Sequence, residues 1–171
     1  VPLWHKENCI QCHQCAFVCP HATIRPFVLN DEQIAKLPED EREDVLNLMG
    51  GPNTKGLKFR IQVSPMNCVG CGICFVQCPG KGGKKALEMV EAKTQYHHEK
   101  AADILYKETE SRTDLFPLNT VKGAAFLPAY QEVSGACAGC GETPYYRLVS
   151  QLFGKDMLVA NATGCSSTVS Y

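Results

Sequence analysis

Two stretches of the chain share one cysteine spacing: CIQCHQCAFVCP at residues 9–20 and CVGCGICFVQCP at residues 68–79. In each stretch three cysteines recur at every third residue, and a fourth follows after three further residues and precedes a proline. The second stretch begins 59 residues after the first. Loops this short bring several thiols close together, so the pattern indicates metal binding.

The composition limits the classes of protein that fit. Apolar residues make up 44% of the 171 residues, which is typical of a folded globular chain and argues against disorder. The net charge of −1 and the absence of an apolar run of about 18 residues predict neither nucleic acid nor membrane as partner. Eleven cysteines in three tight groups also argue against a disulfide framework. The chain begins with Val1 rather than methionine, which suggests a segment of a longer or processed polypeptide.

The spacing identifies the kind of metal centre. It is the pattern of two-cluster bacterial ferredoxins, in which the fourth cysteine of each run binds the other cluster. We therefore predict two [4Fe–4S] clusters with crossed ligand sets. The first set is Cys9, Cys12, Cys15 and Cys78, and the second set is Cys68, Cys71, Cys74 and Cys19.

Zinc is the alternative, because CxxC pairs also form zinc sites. Two such pairs complete a zinc site, however, and a third cysteine followed by a Cys-Pro pair has no use there. The spacing therefore favours iron–sulfur clusters over a non-redox zinc module.

Residues 1–92 are predicted to form a ferredoxin-like α+β domain with pseudo-two-fold symmetry. Each half places one strand before its cysteine loop and another after a short helix. Residues 58–63 alternate polar and apolar side chains, which is typical of a half-buried strand. The predicted strands are Leu3–Lys6, Thr23–Leu29, Leu57–Ser64 and Ala86–Glu91.

An inserted helical segment at about residues 30–56 separates the two halves. Asn30 is a candidate helix N-cap, and Pro38 divides the following stretch into two short helices. We predict that the insertion packs on the domain surface, with the acidic run at residues 39–44 as a solvated face. Residues 93–130 are predicted to form a linker with an exposed His97-His98 pair.

The third cysteine group lies in residues 131–171. Cys137 and Cys140 occupy a glycine-rich loop, and a helix pattern at 145–153, an apolar run at 157–160 and a loop with Cys165 follow. This order is typical of a parallel α/β sheet, whose carboxyl edge is expected to bring the three cysteines together. They predict a third cluster with its fourth ligand outside this chain. The alternative is that Cys165 is an unliganded core thiol.

The third group also carries a family resemblance. The stretch GACAGCGETPY at residues 135–145, with NATGCSS at residues 161–167, resembles pyruvate:ferredoxin (flavodoxin) oxidoreductase. The run from Asn8 to His21 is similar to the ferredoxin domain within those long enzymes. The resemblance therefore covers essentially the whole chain.

The resemblance implies that residues 131–171 begin a thiamine diphosphate domain. It also implies that Cys137, Cys140 and Cys165 hold the third, proximal cluster, and that Glu142 and Cys165 contact the thiamine diphosphate. A Gly-Asp-Gly motif for Mg²⁺ and the diphosphate does not occur in the sequence. We therefore expect no catalysis from the isolated chain and identify no catalytic residue within it.

For function, the resemblance implies electron transfer through [4Fe–4S] clusters, from the thiamine-bound intermediate of pyruvate decarboxylation to ferredoxin or flavodoxin. Coenzyme A is a further substrate of the complete enzyme, which is expected to be a cytoplasmic homodimer. The alternative is a stand-alone carrier with about eight irons in two clusters. A net charge of −1 is less acidic than such carriers usually are.

Overall fold

The computed structural model describes residues 1–51, 53–132, 135–162 and 164–165, and its α+β class confirms the prediction. The strands are β1 (Pro2–Trp4), β2 (Ile24–Leu29), β3 (Leu46–Asn47), β4 (Lys58–Val63) and β5 (Leu87–Met89). The α-helices are α1 (Gln14–Phe17), α2 (Asp31–Lys36), α3 (Ile73–Gln77), α4 (Glu99–Glu108), α5 (Val121–Ala124) and α6 (Thr143–Phe153). Short 3₁₀ helices cover Lys6–Asn8, Glu39–Glu41 and Ala92–His98.

Two small antiparallel sheets join the two halves of the sequence. Strand β1 pairs with β5, with Pro2 opposite Met89, and β4 lies between β2 and β3. Each sheet therefore combines a strand that precedes one cysteine run with a strand that follows the other run. The four predicted strands are confirmed, with ends shifted by one or two residues.

Strand β4 is buried on both faces, so the prediction of a half-buried strand is wrong. Phe59 and Ile61 belong to the apolar core, and the alternate residues Arg60 and Gln62 are buried as well. An Arg60 N–H donates to the carbonyl oxygen of Glu41 at 2.7 Å, so the insertion covers the polar face. The alternating pattern shows which side chains are polar, but it does not show which are exposed. Polar side chains can be buried where they form hydrogen bonds.

The insertion starts at the predicted residue. The Asn30 side chain accepts a hydrogen bond from the Gln33 N–H at 2.8 Å, and the Gln33 side chain accepts one from the Asn30 N–H at 2.9 Å. This reciprocal capping box begins α2. Pro38 then ends the helical stretch, as predicted, but the second helix is only the 3₁₀ turn Glu39–Glu41. Leu48, near the end of the insertion, is buried in the main core.

The acidic run at residues 39–44 is not a uniformly solvated face, and that prediction is wrong at Glu41. The Glu41 side chain is only 2% exposed and forms ion pairs with Arg60 and His98. The physical reason is that the Glu41 carboxylate points into the protein, where it forms an ion pair with Arg60 of β4.

The stretch predicted as a linker contains packed structure. Helix α4 buries Ala101 and Leu105 against Leu29 and Leu37, which forms a second apolar cluster beside the main core. The Tyr106 hydroxyl donates to the carbonyl oxygen of Thr23 at 2.9 Å. Residues 93–130 thus pack on the ferredoxin-like part, whereas the division of the chain into domains stays a prediction.

Helix α6 confirms the helix expected at residues 145–153. The buried strand expected at residues 157–160 is wrong, because this run is not in a strand and Leu158 is 99% exposed. A strand needs a hydrogen-bonded neighbour, and the described residues supply none to this run. Thr163, Ser166 and Ser167, which were expected to form part of the loop with Cys165, lie outside the described residues.

Among the described residues, the helices are too short or too polar to cross a membrane.

Candidate iron–sulfur site

The cysteines of the first predicted set line one small cavity. Cys9, Cys12 and Cys15 enter it from the first loop and α1, and Cys78 enters it from the end of α3. The cavity is walled mainly by apolar side chains, which exclude water. These walls include Trp4, Ile61, Ala86 and Leu87.

A second cavity contains the second predicted set. Cys68, Cys71 and Cys74 line it from the second loop and α3, and Cys19 lines it from the end of the first run. Its walls include Pro2, Ile24 and Met89. The fourth cysteine of each run thus lies in the cavity of the other run. This geometry supports the crossed ligand sets, which stay a prediction.

The two cysteine loops have matching backbones. Gln11 and His13 in the first loop, and Gly70 and Gly72 in the second, have φ between 55° and 78°. These pairs occupy equivalent positions of the two runs. Glycine adopts this left-handed conformation freely, but glutamine and histidine do so only where their surroundings stabilise it.

Hydrogen bonds from the Gln11 side chain supply part of that stabilisation. Its Nε2 group donates to the carbonyl oxygen of Asn47 at 2.8 Å, and its Oε1 atom accepts from the N–H of Met49 at 2.8 Å. Gln11 is itself buried. The insertion therefore holds the first cysteine loop in shape, a role that the sequence did not reveal.

His13 is the second anchor. Its ring stacks on Phe59 with centroids 5.2 Å apart, and Nδ1–H donates to the carbonyl oxygen of Lys122 at 3.0 Å. Burial lowers the pKa of His13 to about 3, so the ring is neutral near pH 7. His13 also lines the first cavity.

The thiol groups in the two cavities resist ionisation without a metal. Burial, then repulsion from Cys9 and Cys74, raises the pKa of Cys15. Burial, then repulsion from Cys19, raises the pKa of Cys74 to about 12. Bound iron ions remove this penalty, because a thiol that coordinates a metal is deprotonated. Sets of four thiols in apolar cavities therefore fit iron–sulfur clusters.

Backbone N–H groups in both loops favour the thiolate form. The N–H of Gln11 donates to Cys9, and the N–H of Gly70 donates to Cys68 at the equivalent position. These hydrogen bonds lower the two thiol pKa values, although burial outweighs them. Hydrogen bonds to ligand sulfurs are one means by which proteins adjust cluster potentials.

The geometry argues against the zinc alternative. Zinc holds four ligands at about 2.0–2.3 Å, which requires thiols that converge on one point. Within the described part of the chain, no three His, Cys, Asp or Glu side chains are arranged to hold a single metal ion. The cysteines instead surround cavities, as a larger cluster requires.

The third cysteine group has a different environment. Cys137 and Cys140 share one turn, in which the Cys140 N–H donates to the Cys137 carbonyl oxygen at 3.0 Å. The Cys137 and Cys165 side chains are exposed. Hydrogen bonds from the Glu142 N–H and from Thr143 lower the pKa of Cys140, at the start of α6. Convergence of all three cysteines on a cluster stays a prediction.

The other predicted cofactor residue, Glu142, is the exposed N-cap of α6. Its backbone N–H donates a hydrogen bond to Cys140. Contact of Glu142 and Cys165 with thiamine diphosphate also stays a prediction.

Arg147 attaches α6 to the ferredoxin-like part, and sequence reasoning missed it. Its guanidinium donates to the carbonyl oxygen of Ala16 at 2.5 Å and to that of Phe17, at the carboxyl end of α1. Arg147 is buried, and burial lowers its pKa to about 10. The Gln151 side chain adds a bond to the carbonyl oxygen of Leu127 at 3.0 Å.

A buried ionic cluster was missed as well. Glu41 pairs with Arg60, and its other carboxylate oxygen lies 3.2 Å from Nδ1 of His98. His98 is therefore half-buried and paired, so the expectation of an exposed pair is wrong for it and holds for His97. No signal in the sequence marks this cluster, because Arg60 lies in a strand with alternating polar and apolar residues, where an arginine is expected on the solvent face.

The part of the chain that contains both cysteine runs is similar to a known family. Residues 8–82 match the family described as 4Fe-4S dicluster domain. This match covers both cysteine runs and the insertion between them.

Similarity to individual proteins extends beyond that domain, over 98% of the chain. It is 49% identical to the pyruvate:ferredoxin oxidoreductase of Moorella thermoacetica and 46% identical to the pyruvate-flavodoxin oxidoreductase of Klebsiella pneumoniae. It is 42% identical to the mitochondrial pyruvate dehydrogenase (NADP+) of Euglena gracilis. The resemblance stated from the sequence is confirmed. The chain spans 14% of the length of the first two relatives and 9% of the third.

Proposed function

We propose that this chain is the electron-transfer segment of a pyruvate:ferredoxin (flavodoxin) oxidoreductase. It holds two [4Fe–4S] clusters in the cavities described above and conducts electrons from pyruvate oxidation towards a ferredoxin or flavodoxin. The complete enzyme, in this proposal, is a cytoplasmic homodimer that uses coenzyme A.

One observation carries the proposal. Each cysteine run contributes its fourth thiol to the cavity of the other run, with Cys78 in the first cavity and Cys19 in the second. This is the crossed arrangement that two-cluster ferredoxins use. Cys15 of the first cavity and Cys74 of the second are close enough for repulsion from Cys74 to raise the pKa of Cys15. This supports two clusters that lie close to each other.

The residues around the cavities have defined tasks in this proposal. The eight cysteines bind iron as thiolates, and the apolar walls keep water away from the clusters. Backbone N–H groups, such as those of Gln11 and Gly70, stabilise the negative charge on sulfur. Each cluster, when bound, accepts and releases one electron at a time.

The proposal assigns residues 1–92 to the ferredoxin-like domain, 93–130 to a connection and 131–171 to the start of a thiamine diphosphate domain. Within the last part, Cys137, Cys140 and Cys165 supply three ligands of a third cluster, and Glu142 and Cys165 contact the thiamine cofactor. Mg²⁺ and the fourth cysteine come from outside this chain. Similarity to the relatives over 98% of the chain supports this assignment.

The experiment begins with anaerobic reconstitution of the chain with iron and sulfide. We expect about eight irons per chain, corresponding to two [4Fe–4S] clusters, and visible absorption that bleaches on reduction. In the full polypeptide that carries this sequence, pyruvate and coenzyme A together should bleach the same absorption. A sample with pyruvate but without coenzyme A is the control, and it shows how much of the bleaching depends on coenzyme A.

Two results would contradict the proposal. A colourless protein with bound zinc would exclude the clusters. A loaded full polypeptide that dithionite bleaches but pyruvate does not would exclude the pyruvate assignment and favour a stand-alone carrier.

A further inference from the structure

A basic hairpin follows the second cysteine run. Lys81 and Lys84 exchange backbone hydrogen bonds of 3.0 and 3.1 Å, and Gly82 and Gly83 form the turn between them with φ of 59° and 81°. This is the left-handed two-residue turn that favours glycine in hairpins. Both lysine side chains are exposed, and neither forms an ion pair within the part of the chain that the structure describes.

The base of the hairpin is fixed beside the first cavity. The Lys85 ammonium donates to the carbonyl oxygens of Phe75, Val76 and Cys78 at 2.8 to 3.0 Å. A Cβ atom on Gly80 would lie 1.8 Å from the carbonyl oxygen of Lys84, so the chain is tightly apposed here. Lys85 is therefore occupied in anchoring, and Lys81 and Lys84 are left to face solvent.

An apolar area adjoins these lysines. Val76 is 73% exposed, Ile10 is 40% exposed, and Pro79 is also exposed. Ile10 and Pro79 line the first cavity as well. A single layer of side chains thus separates the first cavity from solvent at this place.

The loop of the third cysteine group contacts the second run. A Cβ atom on Gly139 would lie 3.4 Å from Cβ of Cys71 and 3.6 Å from the Ile73 side chain. A separate protein that approaches the second cavity from this side would meet that loop first, which favours the hairpin side of the first cavity for docking.

The acidic side chains on the adjoining elements do not pair with the hairpin lysines. Glu7 and Glu88 both contact His5 instead, at 3.8 and 2.9 Å. Apolar residues within a rim of unpaired cations form a surface suited to an acidic protein, because complementary charge steers association and the apolar centre buries area.

We propose that Lys81 and Lys84, with Ile10, Val76 and Pro79, form the docking surface for a small acidic electron carrier of the ferredoxin class. This inference rests on the proposed function and adds the residues that recognise the acceptor. The lysines steer the carrier, and the apolar residues bring its redox centre against the wall of the first cavity.

The test uses the full polypeptide with its clusters loaded and an acidic two-cluster ferredoxin as the probe. The double substitution Lys81→Gln and Lys84→Gln should slow association about tenfold at low ionic strength, as measured by stopped-flow. The difference should shrink at high salt, because screening removes steering. The matched control is Lys93→Gln with Lys100→Gln, two exposed lysines on other elements, which should change the rate by less than about twofold.

A second variant tests the apolar centre. Val76→Asp should speed dissociation of the ferredoxin about tenfold while iron content stays unchanged, since the side chain is exposed and does not line the cavity. Equal association rates for the hairpin variant and its control would overturn the docking surface. A small neutral dye as electron acceptor distinguishes the docking surface from the proposed function, because the dye needs no docking surface. If pyruvate does not reduce the dye through the loaded full polypeptide, the proposed function is overturned, and the docking surface with it.

Discussion

The first two cysteine groups and the third contrast in how far the fold prepares them. Cys19, Cys74 and Cys78 are buried in the main core, and their loops are held by hydrogen bonds to other parts of the chain. Cys137 and Cys165 are exposed, and the hydrogen bond from the Cys140 N–H to the Cys137 carbonyl oxygen closes the turn between those two cysteines. The same residue type therefore occurs in two cavities built around it and in one unenclosed surface group.

The difference teaches where preorganisation comes from. The cavities are enclosed by residues distant in sequence, because β1 pairs with β5 and the insertion reaches the first loop. Among the described residues, the third group is attached through α6 and through the contact at Gly139. A cluster site is prepared in advance where several elements converge on it, and spacing alone does not supply that convergence.

Substitution of a buried cysteine should have the largest effect. In the isolated chain, Cys19→Ala should lower iron from about eight to about four per chain, because it removes one thiol from the second cavity only. Iron analysis and EPR before and after reduction would measure this. Cys165→Ala is the matched control and should leave about eight irons. Selective loss of the first cluster in Cys19→Ala would contradict the assignment of Cys19 to the second cavity. About twelve irons in the unchanged chain would show that the third cysteine group also holds a cluster without the rest of the polypeptide.

Removal of the buried carboxylate should have the next largest effect. Glu41→Gln leaves the Arg60 charge buried without its counter-ion, which costs about 3–5 kcal/mol. The urea midpoint for loss of visible absorption should therefore fall by at least about 1 M. Glu39→Gln, an exposed neighbour on the same 3₁₀ turn, should leave the midpoint unchanged. Equal midpoints would show that the insertion does not hold the cavities closed.

The same variant should alter the pH dependence. Burial raises the pKa of Glu41, but the hydrogen bond with His98 and the charge of Arg60 outweigh it, so the pKa lies below the ordinary 4.5. In the window below 4.5 the unfolded chain binds more protons than the folded chain. The stabilisation is thus complete above pH 4.5 and is lost as the pH falls through the folded value. The gap between the midpoints of the parent chain and Glu41→Gln should narrow over that window.

Loss of the α6 clamp should have the smallest and most local effect. Arg147→Met removes charge-assisted hydrogen bonds to two α1 carbonyl groups, but it also removes the cost of burying the charge, so the net loss is about 1.5–3 kcal/mol. Amide exchange in α6 should speed up about 10- to 100-fold, while iron stays at about eight per chain. Lys155→Met, an exposed cation beyond the same helix, is the control. Iron loss in Arg147→Met would mean that α6 belongs to the enclosure of the cavities.

Much of the fold was predictable, because its determinants are local. The four main strands, the Asn30 cap and the helix at 145–153 follow from periodicity and capping chemistry. The strand expected at 157–160 failed for a non-local reason. An apolar run becomes a strand only beside a partner, and its sequence does not report whether one is present.

The candidate site was predictable in its ligands and not in its supports. The cysteine spacing predicts the crossed ligand sets, because the length of each loop limits which cluster each thiol can reach. Gln11, Glu41 and Arg147 support the site through contacts across the chain, and nothing in their immediate neighbours marks them. Arg60 gave no signal either, because the alternating pattern of its strand predicts a solvent-facing side chain.

The pairing of β1 with β5 has a consequence for biosynthesis. The N–H of Val90 donates to the carbonyl oxygen of Val1 at 2.9 Å, which continues the contact between the two strands beyond β5. Strand β1 finds its partner only when residue 89 has left the ribosome. Both cysteine runs are synthesised before that sheet closes, which leaves an interval in which assembly factors can deliver iron and sulfide.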